Sequence, residues 1–386
     1  MIDGTSKRYD VAVIGLGGMG SATLAHAAKR GGRTIGLEQF TRGHALGSST
    51  GESRIVRQAY FEEPAYVPLL RRAYELWREL EAEAAVSLLD LCGMLAVGRS
   101  DGTILGGALR AARMHDLRVD ELDRADVARR YPTLRLRDDE VGVFEHDAGI
   151  VTPELAIDAH LRIAERACAE LRFQTAVSGY ASRPDGIHVT LEDGSEIVAA
   201  RLVICAGGWI GQVARELGLP IVLQRNVQLW FEPTTNAYAI ERFPIFFLER
   251  PDHLPAALYG FPDRGTGVKA GLHGYGPVTT ADDLDRAISE RDVAPVRDAL
   301  ESWMPGAAGA LLRGKACTYA MTPDEHFILD RHPTDDRVVI AGGFSGHGFK
   351  FCSVVGEILT ELALEGGTRH PIGFLRLERL TDTARA

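Results

Sequence analysis

The chain has 386 residues, of which 45% are hydrophobic and 25% are charged, a composition typical of a globular protein with about two domains. Its net charge of −10 does not favour nucleic acid or an anionic membrane surface as a partner, and no apolar run approaches the roughly 20 residues of a membrane span. Met1–Asp10 lacks the basic start and apolar centre of a signal peptide, so we expect a cytoplasmic protein.

The N-terminal segment has the pattern of a dinucleotide-binding unit. Tyr9–Ile14 is predicted to be a buried strand, and Gly15–Gly20 supplies a G-x-G-x-x-G turn. Ser21–Arg30 is then predicted to be a helix and Thr34–Leu37 a second strand, with Glu38 at its end. The motif alone is weak evidence, but its position between strand and helix predicts dinucleotide binding.

Each part of this motif has a mechanical role. Gly15 permits the tight turn, Gly17 and the adjoining Gly18 let a pyrophosphate approach the backbone, and Gly20 allows close packing of helix on strand. The N-terminus of the helix presents unpaired N–H groups to the phosphates. Glu38 lies about 20 residues further on, at the usual reach of a carboxylate that binds an adenosine ribose.

The segment His44–Gln58 is predicted to be a loop that leads into a short ordered element. Arg54 and Arg57 are three positions apart, so on a helix they would share a face and could clamp a carboxylate. The alternative is two solvent-exposed arginines. Tyr66–Glu83 follows with apolar residues at helical spacing and is predicted to be a packed helix.

We interpret the next part of the chain as its first segment within a second domain. Short strands are predicted at Met94–Val97 and Val141–Phe144, on either side of a charged helix at Asp123–Tyr131. Thr152–Leu171 is predicted to be a long helix with Pro153 in its first turn.

Short alternating strands are expected next, at Phe173–Val177 and Gly186–Leu191, the latter closed by an Asp193-Gly194 hairpin turn. Arg201–Trp209 is a buried strand that ends in glycines, a pattern similar to the second glycine signature of FAD-binding folds. Cys205 within it is interpreted as a small core residue. The five cysteines are widely spaced with no C-x-x-C pair, which favours reduced thiols and predicts neither disulfides nor a metal site.

Longer strands follow and predict a mostly antiparallel sheet that forms the floor of a substrate pocket. They are Val222–Phe231, Ile245–Leu248, Ala257–Phe261 and Val268–Leu272. On the last strand Lys269 shares a face with Gly271 and His273, so two titratable groups would point into one cavity. The alternative is an edge or solvent-facing lysine.

The C-terminal part repeats the strand, glycine turn and helix arrangement. Arg337–Ala341 is predicted to be a strand, Gly342–Gly348 a glycine-rich turn and Phe349–Leu364 an amphipathic helix. Its N-terminus is a second anion site. A reduced flavin carries negative charge near N1 and O2, which this N-terminus and Lys350 would stabilise.

Four segments together resemble the monomeric sarcosine oxidase family, in order and over essentially the whole chain: RYDVAVIGLGGMGSA, GSSTGESRIVRQAY, KACTYAMTPDEHFILDRHP and VVIAGGFSGHGFKF. That family includes N-methyltryptophan oxidase and the sarcosine/pipecolate oxidases. Its members oxidise secondary amino acids with FAD attached through a cysteine thioether to the flavin 8α position.

The resemblance implies an α/β (α+β) fold of the glutathione-reductase and D-amino-acid-oxidase type. In it a Rossmann-like FAD-binding domain is interleaved with a mostly antiparallel β-sheet substrate domain. The FAD-binding domain is expected at residues 1–87, 147–219 and 317–386, and the substrate domain at 88–146 and 220–316. A monomer is expected.

The resemblance also assigns roles to individual residues. Cys317 matches the cysteine that attaches FAD. Arg57 and Lys350 match the pair that holds the substrate carboxylate. Lys269 matches the lysine near flavin N5 where oxygen is activated, and His273 matches the histidine beside the substrate.

Three further residues match the catalytic centre of the family. Arg54 corresponds to the arginine against the flavin ring, and Tyr259 and Tyr319 correspond to active-site tyrosines. The full set of expected cofactor contacts is Gly15, Gly17, Gly18, Gly20, Glu38, Val177, Gly207, Cys317, Gly346, Gly348 and Lys350. Ser49-Thr50 stands where bacterial sarcosine oxidases tend to carry two histidines, which leaves the preferred substrate open.

The predicted activity is oxidation of the C–N bond of sarcosine or another N-methyl amino acid to an imine, with O2 reduced to H2O2. A cyclic secondary amino acid, L-pipecolate or L-proline, is the alternative substrate. A nicotinamide-dependent dehydrogenase would share the N-terminal motif but leaves Cys317 unexplained. A non-catalytic flavoprotein, or a subunit of a larger amine-oxidising complex, would have no need of Arg57, Lys269, His273 and Lys350 together.

Overall fold

The computed structural model describes residues 7–251 and 256–382, and three β-sheets organise this part of the chain. The strands, numbered in chain order, are β1 Arg8–Ile14, β2 Thr34–Leu37, β3 Arg54–Val56, β4 Leu89–Asp90, β5 Met94–Arg99, β6 Val119–Leu122, β7 Glu140–Glu145, β8 Gly149–Val151, β9 Glu170–Arg172, β10 Val177–Arg183, β11 Gly186–Leu191, β12 Glu196–Ile204, β13 Val222–Phe231, β14 Ile245–Leu248, β15 Leu258–Phe261, β16 Val268–Leu272, β17 Val278–Thr279, β18 Leu311–Met321, β19 Ile328–Arg331 and β20 Val338–Gly342. The α-helices are α1 Gly18–Lys29, α2 Val67–Ala84, α3 Thr103–His115, α4 Arg124–Arg130, α5 Pro153–Arg166, α6 Ile210–Val213, α7 Glu290–Trp303, α8 Cys352–Glu365 and α9 Glu378–Asp382. None of these described helices is long and apolar enough to cross a membrane.

An eight-stranded sheet has parallel strands at its centre. Its order is β10-β11-β12-β1-β2-β9, and β20 pairs with both β12 and β19. The strands β9, β2, β1, β12 and β20 run parallel, so their carboxyl ends meet at one edge. The fully buried strands β2 and β20 have the composition typical of a parallel sheet. In open α/β sheets this edge is where ligands bind.

The first helix, α1, packs very closely against the glycine turn before it and against α8. A Cβ built on Gly20 would lie 1.7 Å from the carbonyl oxygen of Gly15, and one built on Gly356 of α8 would lie 2.6 Å from Cβ of Ala22. Both glycines therefore let α1 approach closely, against the turn and against α8. The interpretation of Gly20 as a packing glycine agrees with this geometry.

A nine-stranded sheet forms the second layer and is mostly antiparallel, as predicted. Its order is β17-β13-β16-β15-β14-β5-β7-β6, with β18 paired to β13. Within the described part of this sheet, the β14–β5 pair is parallel and the other pairs are antiparallel. Because β18 continues to Met321, we propose that the second substrate segment extends beyond residue 316 to residue 321.

Two predicted elements, at the end of α5 and just after it, differ from the structure. The helix expected at Thr152–Leu171 ends at Arg166, and Glu170–Arg172 is a strand that pairs in parallel with β2. The strand expected at Phe173–Val177 begins instead at Val177. The edge of β2 offers unpaired backbone groups to this segment, and such long-range pairing outweighs local helix propensity.

The possibility that Arg54 and Arg57 share the face of a helix is wrong. Arg54–Val56 is a strand that pairs with Gly149–Val151, so Arg54 and Arg57 do not share a helix face. A three-stranded sheet of order β3-β8-β4 holds this segment between the two large sheets. The β-branched Ile55 and Val56 suit this extended backbone.

Candidate active site

One cavity is lined both by the carboxyl edge of the eight-stranded sheet and by the nine-stranded sheet. It contains every predicted site residue except Gly20: Gly15, Gly17, Gly18, Glu38, Arg54, Arg57, Val177, Gly207, Tyr259, Lys269, His273, Cys317, Tyr319, Gly346, Gly348 and Lys350. Gly20 lies outside the cavity lining, where α1 packs against the Gly15 turn. The cavity therefore joins the dinucleotide motif to the cationic and aromatic residues that are far away in sequence.

The dinucleotide end of the cavity is built by the turn before α1. Gly15 has φ +84°, and a Cβ there would lie 2.5 Å from the Cys205 carbonyl oxygen, so only glycine fits. The first turn of α1 holds no acidic residue that would repel a phosphate. Gly207 also has positive φ, and a Cβ on it would meet nothing within 4 Å, so the chain exposes bare backbone to the cavity.

Glu38 ends β2 with a buried carboxylate. Its two oxygens accept hydrogen bonds from the backbone N–H groups of Leu16, at 2.9 Å, and Phe40, at 3.1 Å. Burial acts to raise the pKa of Glu38, but the hydrogen bond from His44 and these N–H groups outweigh it, and the net shift is downward. An ionised carboxylate beside the glycine turn fits the ribose of an adenine dinucleotide.

Lys269 on β16 is a buried ammonium group surrounded by neutral oxygens. Its Nζ lies 2.7 Å from the carbonyl oxygen of Gly51, and 2.9 and 3.0 Å from the carbonyl oxygen and Oγ of Ser53. The ring of Phe261 is 4.8 Å away. Burial, and secondly the charge of Arg54, lower the pKa of Lys269 well below its ordinary value.

The loop that binds Lys269 is itself held by Glu154 at the start of α5. The Glu154 carboxylate accepts hydrogen bonds from the backbone N–H of Gly51, at 2.7 Å, the N–H of Glu52, at 3.2 Å, and the hydroxyl of Thr50, at 3.2 Å. Gly51 and Glu52 both have positive φ, at +107° and +67°. Glu154 thus fixes a strained loop in the form that presents its carbonyl oxygens to Lys269.

Arg57 is already paired with a carboxylate of the protein. Its Nη2 lies 2.5 and 2.7 Å from the two oxygens of Glu62, and its guanidinium stacks against the rings of Tyr60 and Phe61 at 4.4 and 4.3 Å. Burial opposes ionisation of Glu62, but the charge of Arg57 outweighs it and lowers the pKa of Glu62 to about 2. The predicted carboxylate-binding arginine therefore holds an internal carboxylate here.

Lys350 lies in a short 3-10 turn, Phe349–Phe351, so the predicted helix at Phe349–Leu364 begins later, as α8 at Cys352. Its Nζ donates to the carbonyl oxygen of His347 at 2.7 Å, and its own carbonyl oxygen accepts from the indole N–H of Trp77 at 3.0 Å. Burial, and secondly the charge of Arg57, lower the pKa of Lys350 to about 7. A bound anion would restore the charge on this lysine.

Aromatic rings enclose His273. Ring centroids of Phe247 and Tyr319 both lie 5.6 Å from the imidazole and that of Tyr259 lies 6.2 Å away. Burial lowers the pKa of His273 to about 4 and raises the pKa of Tyr259 to about 12, so all three side chains are neutral at pH 7.

Five residues of the site were not identified from the sequence. Glu62, Glu154, Gln228, Phe247 and His347 all lie at or against the cavity. Only Gln228 had a clear signal, because polar residues alternate along β13 inside an otherwise apolar sheet. The others act through contacts between segments that are distant in sequence.

Sequence comparisons place this arrangement among known enzymes. The family model described as FAD dependent oxidoreductase matches residues 10–362. The chain is 43% identical over 381 residues to the monomeric sarcosine oxidase of Streptomyces avermitilis, covering 97% of this chain and 98% of that one. It is 34% identical over 352 residues to the N-methyl-L-tryptophan oxidase of Yersinia pestis, covering 91% and 93%.

Solved structures show the same fold. NikD, an amino acid oxidase essential for nikkomycin biosynthesis, matches with a TM-score of 0.86 at 24% identity, covering 96% of this chain and 98% of that one. The L-proline dehydrogenase of P. horikoshii matches with a TM-score of 0.82 at 22% identity, covering 98% and 99%. These likenesses confirm the predicted fold class.

Proposed function

Since the chain belongs to the FAD-dependent oxidoreductase family, and its relatives are amine oxidases, we propose that it oxidises the C–N bond of an N-methyl amino acid, sarcosine being the simplest, to an imine. Reduction of O2 to H2O2 completes the proposed reaction. We further propose that the enzyme acts as a monomer, with FAD held through a thioether to Cys317.

The observation that carries this proposal is the pair of buried cations at the substrate end of the cavity. Arg57 and Lys350 are only 2% and 5% exposed, and each interacts electrostatically with Glu62 and Glu145. Two cations in a dry pocket bind a small carboxylate far more strongly than solvated ones do, because little water competes for it. An amino acid carboxylate would take the place that Glu62 now occupies on Arg57.

Residues at the other end of the cavity fit FAD. The Gly15–Gly20 turn would hold its pyrophosphate and Glu38 its adenosine ribose, while Arg54 and Lys269 would lie by its ring. When bound, FAD would supply the acceptor for the two electrons released when the C–H bond beside the substrate nitrogen is cleaved.

The protein's own groups would then act on the substrate. Arg57 and Lys350 orient it through its carboxylate. His273, kept neutral by burial, would line a dry site that favours the neutral amine over the ammonium form, so that the nitrogen lone pair can assist cleavage of the adjacent C–H bond. Lys269 gains stabilisation from any negative charge formed beside it, which favours electron transfer to O2.

The aromatic wall around His273 favours small substrates. The ring centroid of Phe247 lies 5.3 Å from that of Phe61, with the two rings edge-on, and 6.3 Å from that of Tyr259. An N-methyl group fits such a wall with little displacement of side chains. A cyclic secondary amino acid, L-proline or L-pipecolate, is the second candidate because its ring is also apolar.

The test is the visible spectrum of the purified protein held without oxygen. Sarcosine, N-methyltryptophan, L-proline and L-pipecolate are added to separate samples, and loss of the flavin band reports substrate oxidation. We expect sarcosine to bleach the band fastest. A flavin band that none of the four amino acids bleaches would contradict the proposed substrate class.

A further inference from the structure

The polar face of β13 points at Cys317. In the pairing of β13 with β18, Asn226 lies opposite Cys317 and Gln228 lies opposite Lys315. Side chains opposite each other in an antiparallel pair project from the same face, and so do residues two apart on one strand. Gln228 is therefore a diagonal neighbour of Cys317, and its Nε2 lies 3.4 Å from Cys317 Sγ, within the range of a hydrogen bond to sulfur.

Arg54 fixes which end of the Gln228 amide faces the sulfur. Arg54 Nη1 donates to Gln228 Oε1 at 3.3 Å, and a guanidinium can only donate. The amide oxygen must therefore face Arg54, which leaves the amide nitrogen, a donor, facing Cys317. Gly51 makes this orientation possible, since a Cβ there would lie 2.2 Å from Gln228 Oε1.

The charged groups around Cys317 also favour negative charge on its sulfur. Lys269 and Lys315 both interact electrostatically with its sulfur, and Arg54 connects to it through Gln228. A hydrogen-bond donor and positive charge close to the sulfur stabilise the negative charge that forms there when the thiol proton leaves.

We propose that Gln228, oriented by Arg54, is the positioning residue that holds the Cys317 sulfur for attachment to FAD and stabilises the negative charge that forms on it as its proton leaves. This inference rests on the proposed function, in which Cys317 is the attachment residue. Attachment of a thiol to the flavin 8α methyl group breaks one S–H and one C–H bond and forms one S–C bond. The two electrons left over reduce the ring, which takes up two protons, and O2 then reoxidises it to give H2O2.

The experiment compares the rate of covalent attachment in the full-length protein and in Gln228→Leu and Gln228→Glu. Each protein is prepared without flavin and mixed with FAD in air. Samples are denatured over time, and the mass increase of one FAD on the chain is measured together with in-gel flavin fluorescence. Both variants remove the donor at nearly constant volume, so we expect attachment to slow by roughly ten- to hundredfold at neutral pH, as for loss of a hydrogen bond to a charged group.

The pH profile separates thiolate stabilisation from a structural effect. In Gln228→Leu the attachment rate should recover as pH rises, because hydroxide supplies the thiolate that the amide no longer stabilises. Gln224→Leu is the matched control, since Gln224 is on the same strand but its amide donates to Gly274 and Gly276, at 2.8 and 3.1 Å. We expect this control to attach FAD at the parent rate.

Two results would overturn the inference. Equal rates in the parent and Gln228→Leu, or a loss in Gln228→Leu that is the same at every pH, would show that the amide does not stabilise the thiolate. A parent protein that binds FAD but releases all of it on denaturation would overturn both this inference and the proposed thioether. Retention of FAD in the parent keeps the two failures distinguishable.

Discussion

Glu62 places both of its carboxylate oxygens against one guanidinium nitrogen of Arg57, at 2.5 and 2.7 Å. The pair is almost fully buried, with side-chain exposures of 3% for Arg57 and 11% for Glu62. A substrate carboxylate that binds Arg57 must therefore compete with Glu62. In the proposed site, this competition would limit the affinity of the free protein for a carboxylate.

Removal of the charge on Glu62 is expected to tighten carboxylate binding. In Glu62→Gln the guanidinium loses its internal anion, so the dissociation constant of butyrate, a sarcosine analogue without the nitrogen, should fall roughly tenfold. The constant is measured from the change in the flavin spectrum on titration. Glu63→Gln is the matched control, because the Glu63 side chain accepts a hydrogen bond from the Ala65 N–H and, among the described residues, shows no contact with Arg57. Weaker butyrate binding in Glu62→Gln would show that Glu62 holds Arg57 in its binding position.

Lys350 is expected to make carboxylate binding depend on pH. Since its pKa in the free protein is lowered to about 7, Lys350 is mostly charged below that pH and mostly neutral above it. Butyrate should therefore bind with constant affinity at lower pH and lose up to about tenfold in affinity per pH unit above 7. In Lys350→Arg this loss should disappear, since arginine stays charged. An unchanged profile in that variant would assign the pH dependence to another group.

Lys269 is expected to govern the reaction with oxygen more than the reaction with substrate. In Lys269→Met the cation beside the proposed ring site is lost, so reoxidation of the reduced flavin by O2 should slow by roughly 10²–10³-fold. Anaerobic reduction by substrate should change much less. Stopped-flow measurement of both half-reactions in the same preparation supplies the internal control. Comparable losses in both would contradict the assignment.

Glu154 is expected to stabilise the protein through the loop it holds. In Glu154→Ala three donors, from Thr50, Gly51 and Glu52, lose their acceptor, at a cost of about 1–3 kcal/mol. The melting temperature should fall by a few degrees, measured by calorimetry. Glu165→Ala is the control, because Glu165 makes only an exposed ion pair with Arg42, and such pairs contribute little. Equal melting temperatures for both variants would show that the loop does not depend on Glu154.

Local pattern alone predicted much of the fold. The bounds of Thr34–Leu37, Gly186–Leu191, Val222–Phe231 and Val268–Leu272 agree with the structure to the residue. Each of these segments contains β-branched residues and has a glycine or proline within two positions before it or at its start, so its conformation follows largely from near neighbours. The Gly15–Gly20 turn belongs to the same class, because its geometry depends on glycines within a few positions.

Other elements depended on partners far along the chain. Arg54–Val56 is extended because it pairs with Gly149–Val151, and Glu170–Arg172 is extended because β2 offers it an edge. Neither pairing partner lies close enough in the sequence to be recognised from the neighbouring residues. Resemblance to a family predicted which cations line the cavity, but it did not reveal that Arg57 is neutralised by Glu62.

The sequence by itself therefore determined the fold class, the dinucleotide motif and many, though not all, of the residues that line the cavity, since these follow from local periodicity and from motifs that can be compared position by position. The tertiary structure alone decided the pairings of Arg57 with Glu62, Lys269 with the loop that Glu154 holds, and Cys317 with Gln228. The physical reason is burial. A charged or polar side chain in a dry cavity must find partners there, and which partners it finds depends on how distant segments pack.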